Sequence, residues 1–324
     1  MKDSLRDAVV LVTGGTGFIG AHLVRRLVAD GANVHLLVRP RSHFDRLADV
    51  RVSVAHTALE LADKPALAAC LRGVQPDVVF HLAGVTAGRG TDARLASAAA
   101  LLEHSYEVNL TGTLHLLLAV AHEAPAARVI RTGGLAEYGN GPVPFREEQR
   151  EAPVSPYAAS QVAATHLGQS VVRQFGLAVT TVRPALTYGP AQSDSFFIPS
   201  LILACLEGRP FDMTTGTQTR DFVYVDDVVG ALVAAATAPG VAGQIVNAGS
   251  GREVRIDEVA SLIVRMTGGR TVLRAGAQPG RPGDLERLVC DSERARQLLG
   301  WVARTSLDAG LERTIAWYRE RRAR

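Results

Sequence analysis

The sequence predicts an α/β chain, a doubly wound parallel sheet with a smaller C-terminal lobe. Three observations predict it. Val9-Val10-Leu11-Val12 is a continuous apolar run, and a strand apolar at every position is buried on both faces, as in parallel sheets. The run leads into Thr13-Gly14-Gly15-Thr16-Gly17-Phe18-Ile19-Gly20 and then into a segment of helical period. Ile19, Leu23, Val24, Leu27 and Val28 line one side of that segment, Arg25, Arg26 and Asp30 the other, and Gly31 ends it. Short apolar runs and helical stretches then alternate along the chain.

A strand, a glycine turn and a helix in that order form the context of a dinucleotide-binding fingerprint. Gly14 permits the tight turn, Gly17 lets the backbone approach a pyrophosphate, and Gly20 lets the helix sit close on the sheet. The helix start, with Thr16, Phe18 and Ile19, offers unpaired N–H groups and a positive dipole end to phosphate. The spacing G-x-x-G-x-x-G, opened by Thr13 and closed by Phe18-Ile19-Gly20, resembles the extended short-chain dehydrogenase/reductase superfamily. That is the branch of nucleotide-sugar epimerases, dehydratases and ketoreductases, and the resemblance covers nearly the whole chain. It implies a Rossmann domain over residues 1–190, with 220–249 returning to its sheet. Residues 191–219 and 250–324 are then mainly a substrate-binding lobe and C-terminal helices.

Composition narrows the field. Hydrophobic residues make up 47% of 324, ample for a core. The net charge of +3 is small, and no basic block interleaved with aromatics points to nucleic acid. The closing YRERRAR reads as a solvated helix end. No apolar run reaches membrane-spanning length and no N-terminal targeting signal stands out. Cys70, Cys205 and Cys290 form no metal or redox pattern, so a soluble cytoplasmic protein is expected. Of 35 basic residues, only Lys2 and Lys64 are lysine.

Along the chain, 33–38 reads as the second strand, ending in Arg39-Pro40-Arg41-Ser42. An acid at this point would bind the adenosine ribose; Arg39 suits a 2′-phosphate instead, with Arg41 and Ser42 as helpers, which favours NADP(H). Residues 50–55 read as a third strand. The following Glu60-Leu61-Ala62-Asp63 resembles the family's stretch beside the adenine, or is a plain helix start. Residues 78–82 run into Ala83-Gly84, like the family's HLAG strand, whose end (Leu82, Ala83, Gly84) lies along the cofactor. Residues 85–91, including Thr86, border a substrate. Helical pattern resumes over 95–121, where the resemblance places Asn109 in a bend linked to the proton path. A fifth strand begins at Val129, a long helix follows 153–160, and strand six spans 178–183 before Pro184, which the resemblance implies lies against the cofactor. Asp226 or Asp227 reads as the N-cap of a helix over 228–236.

Moving hydride between a carbinol or carbonyl carbon and nicotinamide requires one proton to move at the oxygen. In the superfamily a tyrosine does this, aided by a lysine four residues on and by a serine or threonine. Ser155-Pro156-Tyr157-Ala158-Ala159-Ser160 matches the tyrosine motif, but the lysine place holds Gln161 and the serine place falls on Gly134. Gln161 keeps a hand for the ribose but brings no charge. An unperturbed tyrosine titrates near 10, so Tyr157 without a neighbouring cation is a phenol at neutral pH. A phenol can give a proton to a ketone but cannot take one from an alcohol. The sequence therefore favours an NADPH-dependent ketoreductase, with Tyr157 as acid and Thr132 or Thr86 as auxiliary donors.

On substrate class, Arg220 and Arg281 match family positions that contact a nucleotide diphosphate. Against that, Leu186 replaces a common asparagine, and Phe196 and Phe197 stand where sugar enzymes often place polar groups, although apolar packing within the lobe is the commoner role for two such residues. The ketone expected on these grounds is a secondary metabolite such as an aromatic polyketide, whose own phenol could supply the proton. The alternatives are a nucleotide-sugar epimerase or 4-ketoreductase, and a catalytically silent NADP(H)-binding protein. The resemblance also implies a homodimer.

Overall fold

The computed structural model describes residues 4–85, 98–280 and 283–323. Strand β1 (Val9–Thr13) leads through the glycine turn to α1 (Phe18–Ala29), β2 (Asn33–Val38) and β3 (Ala55–Ala58). Helix α2 (Lys64–Val74) starts where the Asp63 carboxylate accepts the Ala66 N–H at 3.1 Å, and β4 (Val78–His81) follows. From residue 98, α3 (Ala98–Ser105) passes through a π-helical turn (Tyr106–Thr111) into α4 (Gly112–Glu123), followed by β5 (Arg128–Thr132). Next come α5 (Pro156–Phe175), β6 (Ala178–Pro184), β7 (Leu186–Tyr188), α6 (Phe197–Glu207), β8 (Phe211–Met213) and β9 (Thr219–Tyr224). The chain continues with α7 (Val225–Thr237), β10 (Ile245–Ala248), β11 (Glu253–Arg255), α8 (Ile256–Thr267), β12 (Leu273–Ala275) and β13 (Arg287–Leu288). It ends in α9 (Glu293–Leu299) and α10 (Leu307–Ala323).

Seven parallel strands form the main sheet, in the order β10-β6-β5-β4-β1-β2-β3. The period-2 alternation of β1 divides its side chains between two layers. Val10 and Val12 pack with Leu23, Val24 and Leu27 of α1 and Leu232 of α7, while Leu11 packs with Leu67, Leu116 and Val171 on the opposite face. Each such fully buried side chain contributes roughly 1.5–3 kcal/mol, so the Rossmann topology follows from a strand that needs helices on both sides. Successive strands run outward from β1 to β3, then resume on the other side of β1 with β4. The crevice at this reversal, above the carboxyl ends of β1 and β4, is where such sheets bind ligands.

Four expectations need correction. The third strand is Ala55–Ala58, not 50–55: Val52 is 98% exposed, and 51–53 form a single tight turn. The Val50, Val52, Val54 alternation imitates a strand, whereas the real one is a mostly exposed edge strand whose burial demands nothing apolar. Of residues 220–249, only β10 joins the main sheet; β9 lies in a second small sheet between β11 and β13, with β7 beside it. Finally, α7 begins at Val225, with Tyr224 in the cap position. Asp226 and Asp227 sit in its first turn, where carboxylates still suit the dipole. Asp226 meets His22 Nδ1 at 3.2 Å and Asp227 accepts the Thr305 N–H at 2.9 Å. The expected helix over 95–121 is interrupted by the π-turn, and its first residues lie outside the described ones.

Candidate active site

The glycine turn fits tightly against the end of β4. Gly14 has φ +72°, and a Cβ there would lie 2.6 Å from the Leu82 and Ala83 backbone. A Cβ on Gly20 would lie 2.1 Å from the Gly14 carbonyl oxygen, so α1 approaches the turn as closely as backbone allows. Gly17 caps α1 without any side-chain hydrogen bond, leaving the first N–H groups of the helix for an anion. Phe18 and Ile19 send their side chains into the small lobe's apolar cluster, so these two contribute backbone to the cradle and packing beneath it.

A chain of hydrogen bonds fixes the neighbouring loop. Thr113 Oγ1 donates to the Asn109 carbonyl at 2.6 Å and must therefore accept from His81 Nε2, 2.9 Å away. His81 Nδ1 then accepts from Thr13 Oγ1 at 2.7 Å, and Thr13 Oγ1 accepts the Ala83 N–H at 3.2 Å. Burial, with Arg131 nearby, holds His81 down to about 3, so the neutral ring this arrangement needs is the stable one. Asn109, in the π-turn, receives the Val85 N–H at 2.9 Å and donates to Ser160 Oγ at 3.0 Å, which in turn donates to the Tyr157 carbonyl. It thereby ties the HLAG loop to α5.

At the far end of the crevice, Arg39 stands exposed where β2 ends, and its carbonyl accepts the Ser42 N–H at 2.9 Å in a turn. Among the described residues, no acid is paired with Arg39 or Arg41. Glu60 is exposed, and Leu61 packs against Gly112. Among the described residues, then, the groups that could hold a dinucleotide are the glycine cradle, the Leu82–Gly84 edge and this arginine turn.

Tyr157 lies in the first turn of α5, after Ser155 (whose Oγ accepts the Ala158 N–H at 3.2 Å) and Pro156 at the first helical position. A Cβ on Gly134 would meet only the Tyr157 Oη, at 3.5 Å, so Gly134 borders the Tyr157 hydroxyl. Burial first, then the Glu137 carboxylate, pushes the phenol up to about 12, with Arg131 pulling it down. Gln161, one turn on, is buried; its Oε1 accepts from Arg131 Nη2 in a very short contact. Its Nε2 lies 3.8 Å from a Cβ placed on Gly84.

The sequence pattern did not point to the polar cluster beneath. Arg131 on β5 is 1% exposed and donates to Thr165 Oγ1 at 2.8 Å and to the Gln161 carbonyl at 3.2 Å. Thr165 donates to Glu137 Oε2 at 2.7 Å, and Glu137 also accepts from Arg183 Nη2 at 2.7 Å and from the Gly134 N–H at 2.9 Å. Arg183 also meets Glu151 at 2.8 Å. The one available signal was that Arg131 and Arg183 interrupt strands otherwise built for the interior.

Other expected residues fare differently. Thr132 gives its hydroxyl proton to the His81 carbonyl at 3.0 Å and so has none left for a substrate. Pro184 is partly buried at the end of β6, paired in register with Ala248. Leu186 and Phe197 pack against the small lobe's core, Phe197 edge-on to Phe211, while Phe196 caps α6. Arg220 is buried and held by Asp284 at 2.5 Å. Thr86 and Arg281 lie outside the described residues.

The sequence profile of the NAD dependent epimerase/dehydratase family matches residues 10–249. The chain belongs to that family. It is 34% identical to a UDP-glucose 4-epimerase of Mycolicibacterium smegmatis, over 96% of this chain and 98% of that one. Among solved structures, MoeE5 in complex with UDP-glucuronic acid and NAD is 32% identical, with a TM-score of 0.84 over 96% of this chain and 99% of that one. The UDP-glucose 4-epimerase of Thermotoga maritima, solved with UDP-glucose, is 27% identical, with a TM-score of 0.85 over 96% and 99%. The family binds a nicotinamide dinucleotide, and both relatives above whose names state an activity are UDP-glucose 4-epimerases.

Proposed function

We propose that the chain reduces a keto group on a nucleoside-diphosphate hexose with NADPH, acting as a nucleotide-sugar 4-ketoreductase. The observation that carries this reading is Tyr157, a phenol held up to about 12 beside a residue without a hydroxyl, Gly134. At neutral pH it can give a proton but is almost never the phenolate that alcohol oxidation requires. NADPH, when bound, would supply the hydride; the α1 N-terminus would hold its pyrophosphate and Arg39 its 2′-phosphate, and Tyr157 Oη would give the proton to the carbonyl oxygen.

The relatives favour a sugar substrate over the apolar ketone expected from the sequence, because their names and titles specify UDP-glucose and UDP-glucuronic acid. The placement of Leu186 and Phe197 in lobe packing removes two of the three residues that favoured an apolar ketone. Epimerisation is the second reading, favoured by the same relatives. The family resemblance further leads us to propose a homodimer packed through α3, α4 and α5, with Leu102 44% exposed on α3.

The test follows NADPH consumption with UDP- and dTDP-4-keto-hexoses, beside UDP-glucose/UDP-galactose interconversion without added cofactor. Consumption with a keto sugar is expected. Interconversion on tightly held NAD, with no use of NADPH, would overturn the reading.

A further inference from the structure

The residue one helical turn after Tyr157 carries no charge, yet a cation stands directly behind it. A guanidinium can only donate, so the Gln161 carboxamide must turn its oxygen to Arg131, as it does. The amide has one oxygen and one NH2 group, so fixing the first aims the second. Nε2 is left facing Gly84, at the edge of the cofactor crevice. Arg131 cannot readily swing away, since Nη1 is held by Thr165, which is held by Glu137, which is held by Arg183, all fully buried.

We propose that Arg131 is a positioning residue for the cofactor site: it locks the Gln161 carboxamide so that Nε2 donates into the crevice, where it can grip a ribose hydroxyl of the dinucleotide. The cation that serves this site thus comes from strand β5 and acts through a neutral side chain on α5. Its charge also opposes the effect of Glu137 on Tyr157, which keeps the phenol from being still harder to ionise. This inference rests on the proposed dinucleotide site but not on the identity of the sugar.

The test uses the purified full chain and nicotinamide fluorescence, titrating NADPH and NADH, with thermal unfolding measured alongside. Gln161→Glu offers Arg131 a carboxylate and removes the donor. It should melt no lower than the wild type yet bind the dinucleotide roughly tenfold more weakly, the scale of one lost hydrogen bond. Gln161→Met and Arg131→Met should weaken binding by similar factors, and the double variant should be no weaker than the poorer single one, because both changes remove the same aimed donor. Gln161→Glu binding like the wild type would overturn the inference, and that outcome stands whether or not Arg131→Met folds. Factors that multiply in the double variant would also overturn it. A wild-type protein that binds neither dinucleotide would overturn the cofactor reading as well.

Discussion

Replacing Gly134 by serine would ask directly whether the space beside Tyr157 Oη receives the substrate oxygen. Gly134 has φ −174° and ψ 160°, extended backbone that any residue adopts. The added Cβ would touch nothing closer than the Tyr157 hydroxyl at 3.5 Å, an ordinary contact. Its N–H would keep its bond to Glu137. The variant should therefore fold, and the loss of glycine's freedom in the unfolded chain should stabilise it by about 0.4–1 kcal/mol. On the proposed function, the new hydroxyl would stand beside Tyr157 Oη, within reach of the oxygen that Tyr157 protonates. One such donor is worth at most about 3–4 kcal/mol in the transition state. Without a surrounding shell evolved for it, a rise in kcat of about 10- to 100-fold is expected. The assay is NADPH oxidation with a nucleotide 4-keto-hexose, alongside urea unfolding. A Gly134→Ser protein of undiminished stability whose kcat is unchanged or lower would refute the placement of the carbonyl oxygen beside Gly134.

Three further outcomes follow. Gly20→Ala should separate α1 from the phosphate turn, since the new methyl would lie 2.1 Å from the Gly14 oxygen; a destabilisation of about 1–3 kcal/mol and a clear loss of dinucleotide affinity should appear in unfolding and fluorescence titrations. Arg39→Glu should lower the preference for NADPH over NADH about 10- to 100-fold, the value of a charge-assisted hydrogen bond, read from the ratio of the two dissociation constants. His81 falls from 6.5 to about 3 on folding. The unfolded chain therefore binds more protons in acid, and stability is lost as pH drops from about 6.5 toward 3, at up to about 1.4 kcal/mol per unit. Urea unfolding at pH 7 and pH 5 should differ by about 2 kcal/mol from this group, and His81→Gln should flatten that slope.

The strand–turn–helix at 9–29 could be read from sequence because its requirements are local. An all-apolar strand needs cover on both faces, Gly14 needs a left-handed backbone, and Gly20 needs the absence of a Cβ. The position of Tyr157 was legible for the same reason, since Ser155, Pro156 and the helical spacing are neighbours in the chain. So were the altered positions, Gly134 and Gln161. What lay beyond the sequence was anything decided by partners far apart in it. The edge strand Ala55–Ala58 has almost no burial signature, and only its pairing with β2 reveals it. Strand β9 reads like a core strand, yet joins a second sheet because β11 and β13 come to it.

Arg131 makes the point most sharply. By itself it is an arginine in a short strand, and by charge counting Gln161 leaves Tyr157 without help. Only the tertiary structure brings β5 under α5, buries the guanidinium, and gives it Thr165, Glu137 and Arg183 as a support. A buried charge needs partners that close around it from several directions at once, and no local pattern encodes that convergence. The sequence by itself determined where the glycine turn lies and that residues 134 and 161 depart from the family pattern around Tyr157. The fold alone decided that a buried guanidinium stands behind Gln161, because electrostatics in a dry interior depends on distances between segments that only folding brings together.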